Sequence, residues 1–392
     1  MEKYKYGEKL TLFEPLDLSP DGHPWGSQAR VFLGEVKQTE QVELVAVKLM
    51  RTEERCLESF MRELRILSRL DQGLTVITPV IDCGIIHPSK KIIIDDTLQG
   101  FDGVSGNVDH FGINGLMDLH EKLKGDFRGI PFISIQLRDG MEINLDEIVE
   151  KDFGYLPVPD VLSIGMQLME VLKEAHRNDV IYADSRPIHF YISFQDIGQV
   201  RLKIIDWNAS MILAEEGLDP AVAKQKDLKE IVANLLFPLF TGRRLANSSK
   251  SVGRDHKETR MHLDTHYSID NWKKDDEERL DKDIRELLYD AVVNETIKTP
   301  EQFVERLSII CNNWFSNVDG EFLQAIRKLH LAYHYLNESH SYLGKITEEL
   351  FHSNGFPYVR NEAQRLFFIA NDMKTIWRLY SIQIKRKNRN KS

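Results

Sequence analysis

The chain has 392 residues, enough for two or three domains or one two-part enzyme with additions, and its 42% hydrophobic and 29% charged residues suit a water-soluble globular protein. A formal net charge of −10 argues against nucleic acid as a partner, because phosphate backbones require a basic footprint. The three cysteines Cys56, Cys83 and Cys311 are odd in number and contain no CxxC pair, which argues against a zinc or disulfide framework, and no stretch approaches the roughly eighteen apolar residues of a membrane span, so the expectation is a cytoplasmic protein with no membrane span.

In chain order, residues 1–20 read as an N-terminal extension. "ARVFLGEV" and "VELVAVKLM" read as two strands joined by the polar "KQTEQ". In "RTEERCLESFMRELRILSRL" the apolar residues Leu57, Phe60, Met61, Leu64 and Leu67 recur at helical spacing. "VITPVIDCGII" and "GIPFISIQL" read as further strands. Between them, at about 88–128, lies a Gly- and Asp-rich insertion with little periodicity and no assigned fold. From about 138 the character turns helical, starting with "VPDVLSIGMQLMEVLKEAHRN". Two short strands follow, "FYISF" and "VRLKIID". Next comes a long helix, "AVAKQKDLKEIVANLLFPLFTG", kinked at Pro238 and closed by Gly242. Residues 245–275 read as loop, and helices resume to about 384. The helices of a C-terminal extension, 311–384, are amphipathic and either pack on the preceding helices or offer a surface for a partner; "KRKNRNKS" at 385–392 reads as a solvated basic tail, with an electrostatic contact to membrane or nucleic acid as the alternative. Strands first and helices after suggest an α+β protein.

Several residues stand where phosphate chemistry would need them. Lys48 ends "VAVK" on a strand, and Glu63 lies fifteen positions on, on the next helix. Together they can form an ion pair that aims the ammonium at nucleotide phosphates. Gly26 precedes the first strand, where a glycine-rich loop could cover phosphates, although Pro24 and Ala29 occupy the places of further glycines. Asp184 lies in a polar loop after a helix and can accept a hydroxyl proton. Asp206 ends the apolar strand "LKII", a position suited to Mg²⁺, which binds through one or two carboxylates plus substrate phosphates. Asp227, polar among apolar helix neighbours, can anchor the backbone of the Asp184 loop. Taken singly, each has a plainer reading as a turn, a cap or a surface charge.

Their order and spacing resemble the eukaryotic-like Ser/Thr protein kinase family. The resemblance is carried by "VAVK", by "IYADSRPIHFYI" as the catalytic loop, by "IIDWN" as the metal-binding strand end, and by "FTGRR", over roughly residues 20–310. It implies a two-lobed protein-kinase-like fold, with a β-rich N-lobe at 21–137 and a helical C-lobe at 138–310. It implies ATP and Mg²⁺ as cofactors. Lys48, Asp184 and Arg186 would be catalytic; Gly26, Val31, Ala46, Lys48 and Glu63 would bind ATP; Asp206 and His189 would hold the metal; and Asp227 would be the structural anchor. "FISIQL" would hold adenine through its backbone. The implied activity is transfer to a Ser/Thr hydroxyl of an unidentified protein substrate.

The departures bear on substrate and metal. Tyr182-Ala183 replaces the family's His-Arg, Arg186 its lysine, and His189 its metal-binding asparagine, an imidazole that also tolerates Mn²⁺. From Asp206 to Asp227 is only 21 positions, with no Ala-Pro-Glu motif. A small-molecule or sugar kinase is therefore an alternative, since lipopolysaccharide core kinases are similar in carrying His-Phe five residues after the Asp, as in His189-Phe190. A nucleotide-binding pseudokinase scaffold is another.

Overall fold

A computed structural model describes residues 4–317, apart from 18–27, 39–40, 71–72, 99–100, 102–103, 138–142, 149–155, 157, 195–199 and 242–279. The described residues hold twelve strands: β1 (Tyr4–Tyr6), β2 (Leu10–Pro15), β3 (Ala29–Gln38), β4 (Gln41–Met50), β5 (Val80–Pro88), β6 (Gly106–His110), β7 (Ile130–Gln136), β8 (Ile143–Asn144), β9 (Val180–Ile181), β10 (Phe190–Phe194), β11 (Val200–Ile204) and β12 (Met211–Ile212). The α-helices are α1 (Glu54–Arg69), α2 (Leu116–Lys124), α3 (Leu145–Glu147), α4 (Val158–Arg177), α5 (Leu213–Glu216), α6 (Pro220–Ile231), α7 (Phe237–Thr241), α8 (Lys282–Val292) and α9 (Pro300–Asn317).

The first seven strands close into a barrel in the order β1-β2-β3-β4-β7-β5-β6. This overturns the expected two-lobed protein-kinase-like fold: the chain forms a closed barrel with helices after it. The physical reason lies at the sheet edges. The segment read as an extension contributes the β1–β2 hairpin, and the segment read as an unassigned insertion contributes β6; together they occupy both edges, where unpaired backbone groups would otherwise remain. Closure itself is thin. Tyr6 pairs with Gly106 in parallel, and the Gly7 N–H donates to the Gly106 carbonyl at 2.8 Å. A Cβ on Gly106 would meet the His87 carbonyl oxygen of β5 at 2.1 Å, so only glycine lets β6 lie this close to β5 at the closing point.

The barrel is filled, not hollow. Alternate residues of β4 (Val45, Val47, Leu49) and Phe32 of β3 point inward, and Ile92, Ile94, Phe101 and Val104 join them from the segment between β5 and β6. The Phe101 ring lies 4.8 Å from that of Tyr4 and 4.9 Å from that of Phe32. The same segment accounts for a buried arginine. Arg30 donates through Nε to Asp17 Oδ2 at 2.9 Å and through Nη1 to the carbonyls of Asp95 (2.7 Å) and Asp96 (3.3 Å). A buried guanidinium persists only with partners of this kind.

The outer face of the barrel packs on α1 and α2, in one continuous core with the helices that follow. Helix α1 turns Cys56, Phe60, Leu64 and Leu67 inward, and Glu63 sits within that same buried stripe. Helix α4, buried on most sides, carries the three-stranded sheet β11-β10-β8 and packs against α9. The helix predicted from 221 to 242 is interrupted rather than simply bent. Pro238 has no N–H to offer, and ahead of it Val232–Leu236 form a π turn in which the Phe237 N–H reaches back to the Val232 carbonyl. Gly26, Gly242, the loop 245–275, the segment from 318 to 384 and the tail 385–392 lie outside the described residues. Among the described residues no helix is long and apolar enough to cross a membrane.

Candidate active site

Lys48 lies on the outer face of β4, opposite Val31 of β3 and Ile133 of β7, while Ala46 lies opposite Leu33 and Ile135. Val31 and Ala46 are half-buried on this face, so an apolar strip runs up to the Lys48 ammonium. The backbone of Phe132–Ile135 is engaged in ladders with both β4 and β5; this part of "FISIQL" is an interior strand of the barrel.

The Lys48 ammonium donates to both oxygens of Glu63, at 2.8 and 2.7 Å, and to Asp206 Oδ1 at 3.1 Å. Burial alone would depress the lysine's pKa, but Asp206 and Glu63 more than reverse this and hold it above the ordinary lysine value. For Glu63 burial dominates and raises its pKa, against the pull of Lys48 and, more weakly, of the Trp207 backbone. Asp206 is half-buried, which disfavours its charge, yet Lys48 and then His189 draw its pKa below the usual carboxylate value.

Asp206 is placed by main-chain bonds two residues upstream. The Ile204 N–H donates to Val76 (2.8 Å) and the Thr78 N–H donates to Ile204 (3.1 Å), which ties the end of β11 to the entry of β5. The Asn208 N–H then closes on Asp206 Oδ1 at 3.1 Å.

The Asp184 loop is held from beneath by Asp227. Asp227 Oδ2 accepts from the Tyr182 N–H and from His176 Nε2, and Oδ1 accepts from the Ala183 N–H, all at 2.9 Å. Ala183 has φ +56°, a left-handed conformation that costs a residue with a Cβ about 1 kcal/mol or more, and the Asp227 bonds fall on this residue and its neighbour. Further supports are Ser210 Oγ to the Tyr182 carbonyl (2.7 Å), Asn234 Nδ2 to Ser185 Oγ (2.7 Å) and Asn144 Nδ2 to the Ile188 carbonyl (2.7 Å). The Tyr182 ring packs edge-on against Phe190 and Trp207, 5.5 and 5.0 Å between centroids.

Asp184 is buried, which disfavours its charge. The guanidinium of Arg186 grips both its oxygens, Nε to Oδ1 and Nη2 to Oδ2 at 2.6 Å each, and this contact with that of His189 holds the carboxyl well below the usual range. His189 stands between the two aspartates. Its Nε2 is 3.2 Å from Asp184 Oδ2 and its Nδ1 is 3.8 Å from Asp206 Oδ2. The shorter approach lacks hydrogen-bond alignment, so buried Nε2 has no aligned partner among the described residues.

The fold therefore brings Lys48, Glu63, Asp184, Arg186, His189 and Asp206 into one cluster, with Asp227 beneath it and Val31 and Ala46 on the adjoining strip. Gly26 lies outside the described residues. Sequence reasoning missed a second set of charges around α1: Arg62 Nη1 lies 3.7 Å from Glu216 Oε1, and Arg65 pairs with Glu215. The sole hint was the placement of Arg62 and Arg65 beside Glu63 on the helix. No protein-family model matches the chain, and no curated protein matches it.

Proposed function

We propose that this chain catalyses ATP-dependent phosphoryl transfer to a hydroxyl group, with a serine or threonine side chain of a protein as the acceptor. The observation that carries the reading is the Lys48 ammonium, held by both oxygens of Glu63 and directed at Asp206, with Asp184 on the adjoining loop. The motif resemblance supports the same assignment. Lys48 would neutralise phosphate oxygens, and the apolar strip of Val31 and Ala46 would receive the base. Asp184 would accept the acceptor hydroxyl's proton as its oxygen bonds to the γ-phosphorus and the β–γ bridging oxygen departs with ADP. Arg186 would supply positive charge near the transferring group.

The residues present fit a divalent cation. Asp206 and His189 would hold it: His189 Nδ1 faces Asp206 Oδ2 at 3.8 Å, beyond hydrogen-bond reach and a separation that two ligands of one ion can share. Such an ion, Mg²⁺ or Mn²⁺, supplies charge neutralisation for the phosphates. Among the described residues no group of three or more His, Cys, Asp and Glu side chains is disposed to hold a metal alone, which suits an ion completed by substrate oxygens.

Asp184→Asn tests the reading. The variant should bind a fluorescent ATP analogue within about threefold of wild type and lose labelled-phosphate transfer by about 100-fold or more. Transfer that survives the change, or a wild-type chain that transfers nothing with Mg²⁺ or Mn²⁺, would overturn it. One observation favours a second reading, a nucleotide-binding scaffold: the fork of Arg186 already occupies both oxygens of Asp184. Under that reading wild type binds the analogue and transfers no phosphate, and Arg186→Ala does not restore transfer.

A further inference from the structure

Beside the closing point of the barrel, where the β1–β2 turn meets β6, lies a cavity of about 750 Å³. It is lined by Glu8 and Lys9 of the turn, Val108 and His110 of β6, Phe111 after that strand, and Lys122 of α2. Its volume suits a small molecule, and it shares no residue with the Lys48 cluster. His110 is held from behind. Its Nδ1 lies 2.5 Å from Asp82 Oδ2, and Asp82 Oδ1 accepts from the backbone N–H groups of Cys83 (2.9 Å) and Gly112 (3.0 Å). Two main-chain donors make this buried carboxylate an acceptor, so Nδ1 is the ring nitrogen that carries the hydrogen. Nε2 is then left over. It is buried and has no hydrogen-bond partner among the described residues, and the Phe132 ring packed edge-on beside it, 6.2 Å between centroids, offers none. A buried polar atom in this condition is destabilising until something meets it.

The other lining residues say what that something is. Lys9 and Lys122 bring two ammonium groups to the cavity. Asp109, the remaining acid beside Glu8, is already engaged by His87 Nε2 at 2.9 Å, which leaves two lysines against one carboxylate. This excess of positive charge matches a single acid group, is too small for a polyphosphate, and disfavours a metal ion. Val108 and Phe111, half-buried against the barrel and helix cores, offer an apolar wall to the rest of the ligand. We propose that the cavity binds a small molecule with an apolar body and one carboxyl group, whose oxygen meets His110 Nε2 with one proton shared between them while Lys9 and Lys122 flank it. The site is separate from the phosphoryl-transfer reading and does not rest on it.

The test uses the full chain with isotope-labelled histidine, followed by nuclear magnetic resonance, and benzoate as the probe. The His110 signals are assigned by their loss in His110→Gln or, should that variant not fold, by their cross-relaxation with the Phe132 ring. Benzoate should shift the His110 Nε2 resonance saturably with a Kd of about 1 mM or tighter. Benzamide, of the same shape without the charge, should bind at least about tenfold more weakly. Lys9→Met with Lys122→Met should weaken benzoate by about tenfold, and Glu8→Gln, which removes the opposing charge, should tighten it by about twofold to threefold. All three of these side chains are exposed, so the changes leave the fold intact. An Nε2 resonance unmoved by about 20 mM benzoate, equal binding of benzamide, unchanged affinity in the double lysine variant, or weaker binding in Glu8→Gln would overturn the site. The Asp82–His110 pair would then be a brace of the barrel wall.

Discussion

Replacing Asp227 by alanine should be among the most costly single changes in the described structure. The carboxylate is 1% exposed and accepts three hydrogen bonds at 2.9 Å, from the backbone N–H groups of Tyr182 and Ala183 and from His176 Nε2. Hydrogen bonds to a charged group each contribute about 1.5–3 kcal/mol, and a buried donor stripped of its partner costs about 1–3 kcal/mol. Because the three bonds share one carboxylate, their losses overlap, and we expect about 4–5 kcal/mol for Asp227→Ala. Asp227→Asn keeps one acceptor oxygen but turns an NH₂ toward donors, for about 2–3 kcal/mol. The partner change, Ala183→Gly, relieves a left-handed residue at φ +56° and should stabilise by up to about 1 kcal/mol, offset in part by the greater freedom of glycine in the unfolded chain. Urea denaturation of the three variants, read at unchanged m, measures all of these. A loss below about 1.5 kcal/mol for Asp227→Ala would refute the reasoning, since it would mean the loop holds its shape without the anchor.

Two further outcomes follow from other parts of the molecule. Phe101→Ala removes the ring that fills the barrel between Tyr4 and Phe32 and should cost about 3–5 kcal/mol, seen as a lowered Tm in calorimetry. The pKa of Asp184 is lowered in the folded state, so its carboxylate adds stability that is fully present above its ordinary value of 3.8 and is lost as pH falls below it. Glu63, raised by burial, acts with the opposite sign and gains on the folded side as it protonates. The stability gap between wild type and Asp184→Asn should therefore stay level down to about pH 4 and shrink as pH falls further in denaturation profiles, and a gap that stays constant below about pH 4 would contradict the assigned direction.

How much was legible in the sequence depended on how local the signal was. The periods of "RTEERCLESFMRELRILSRL" and of the β3–β4 pair report contacts within one element or one hairpin, and α1, β3 and β4 lie where those periods put them. The barrel was not legible, because closure is a pairing between distant segments. β6, "GNVDH", has no residue that is fully buried, so no hydrophobic alternation marks it as a strand. The β1–β2 hairpin did carry a signal, with Tyr4, Tyr6, Leu10 and Leu12 alternating around Gly7 at φ +62°, but its pairing partner could not be read from its own residues. Within the site, Lys48, Glu63, Asp184, Asp206 and Asp227 could be named because each sits at a definable place on an element. The ion pair of Arg65 with Glu215 joins residues 150 positions apart, and nothing local announces it. The grip of Arg186 on Asp184 joins near neighbours, yet it depends on the backbone turn at Ala183 and so on Asp227.

The π turn at Val232–Leu236 has a consequence for chain length. It stores one residue more than a regular helix would need, so deleting a residue there would restore a continuous α-helix, where elsewhere a deletion breaks one. What such a deletion changes is phase. Each residue advances a helix by about 100°, and the extra one lets Asp227 face the loop on one side while Phe237, Leu239 and Phe240 face the core on the other. A shortened helix would be smoother and could satisfy only one of the two, so the irregular turn is the joint that lets a single helix meet two differently oriented neighbours.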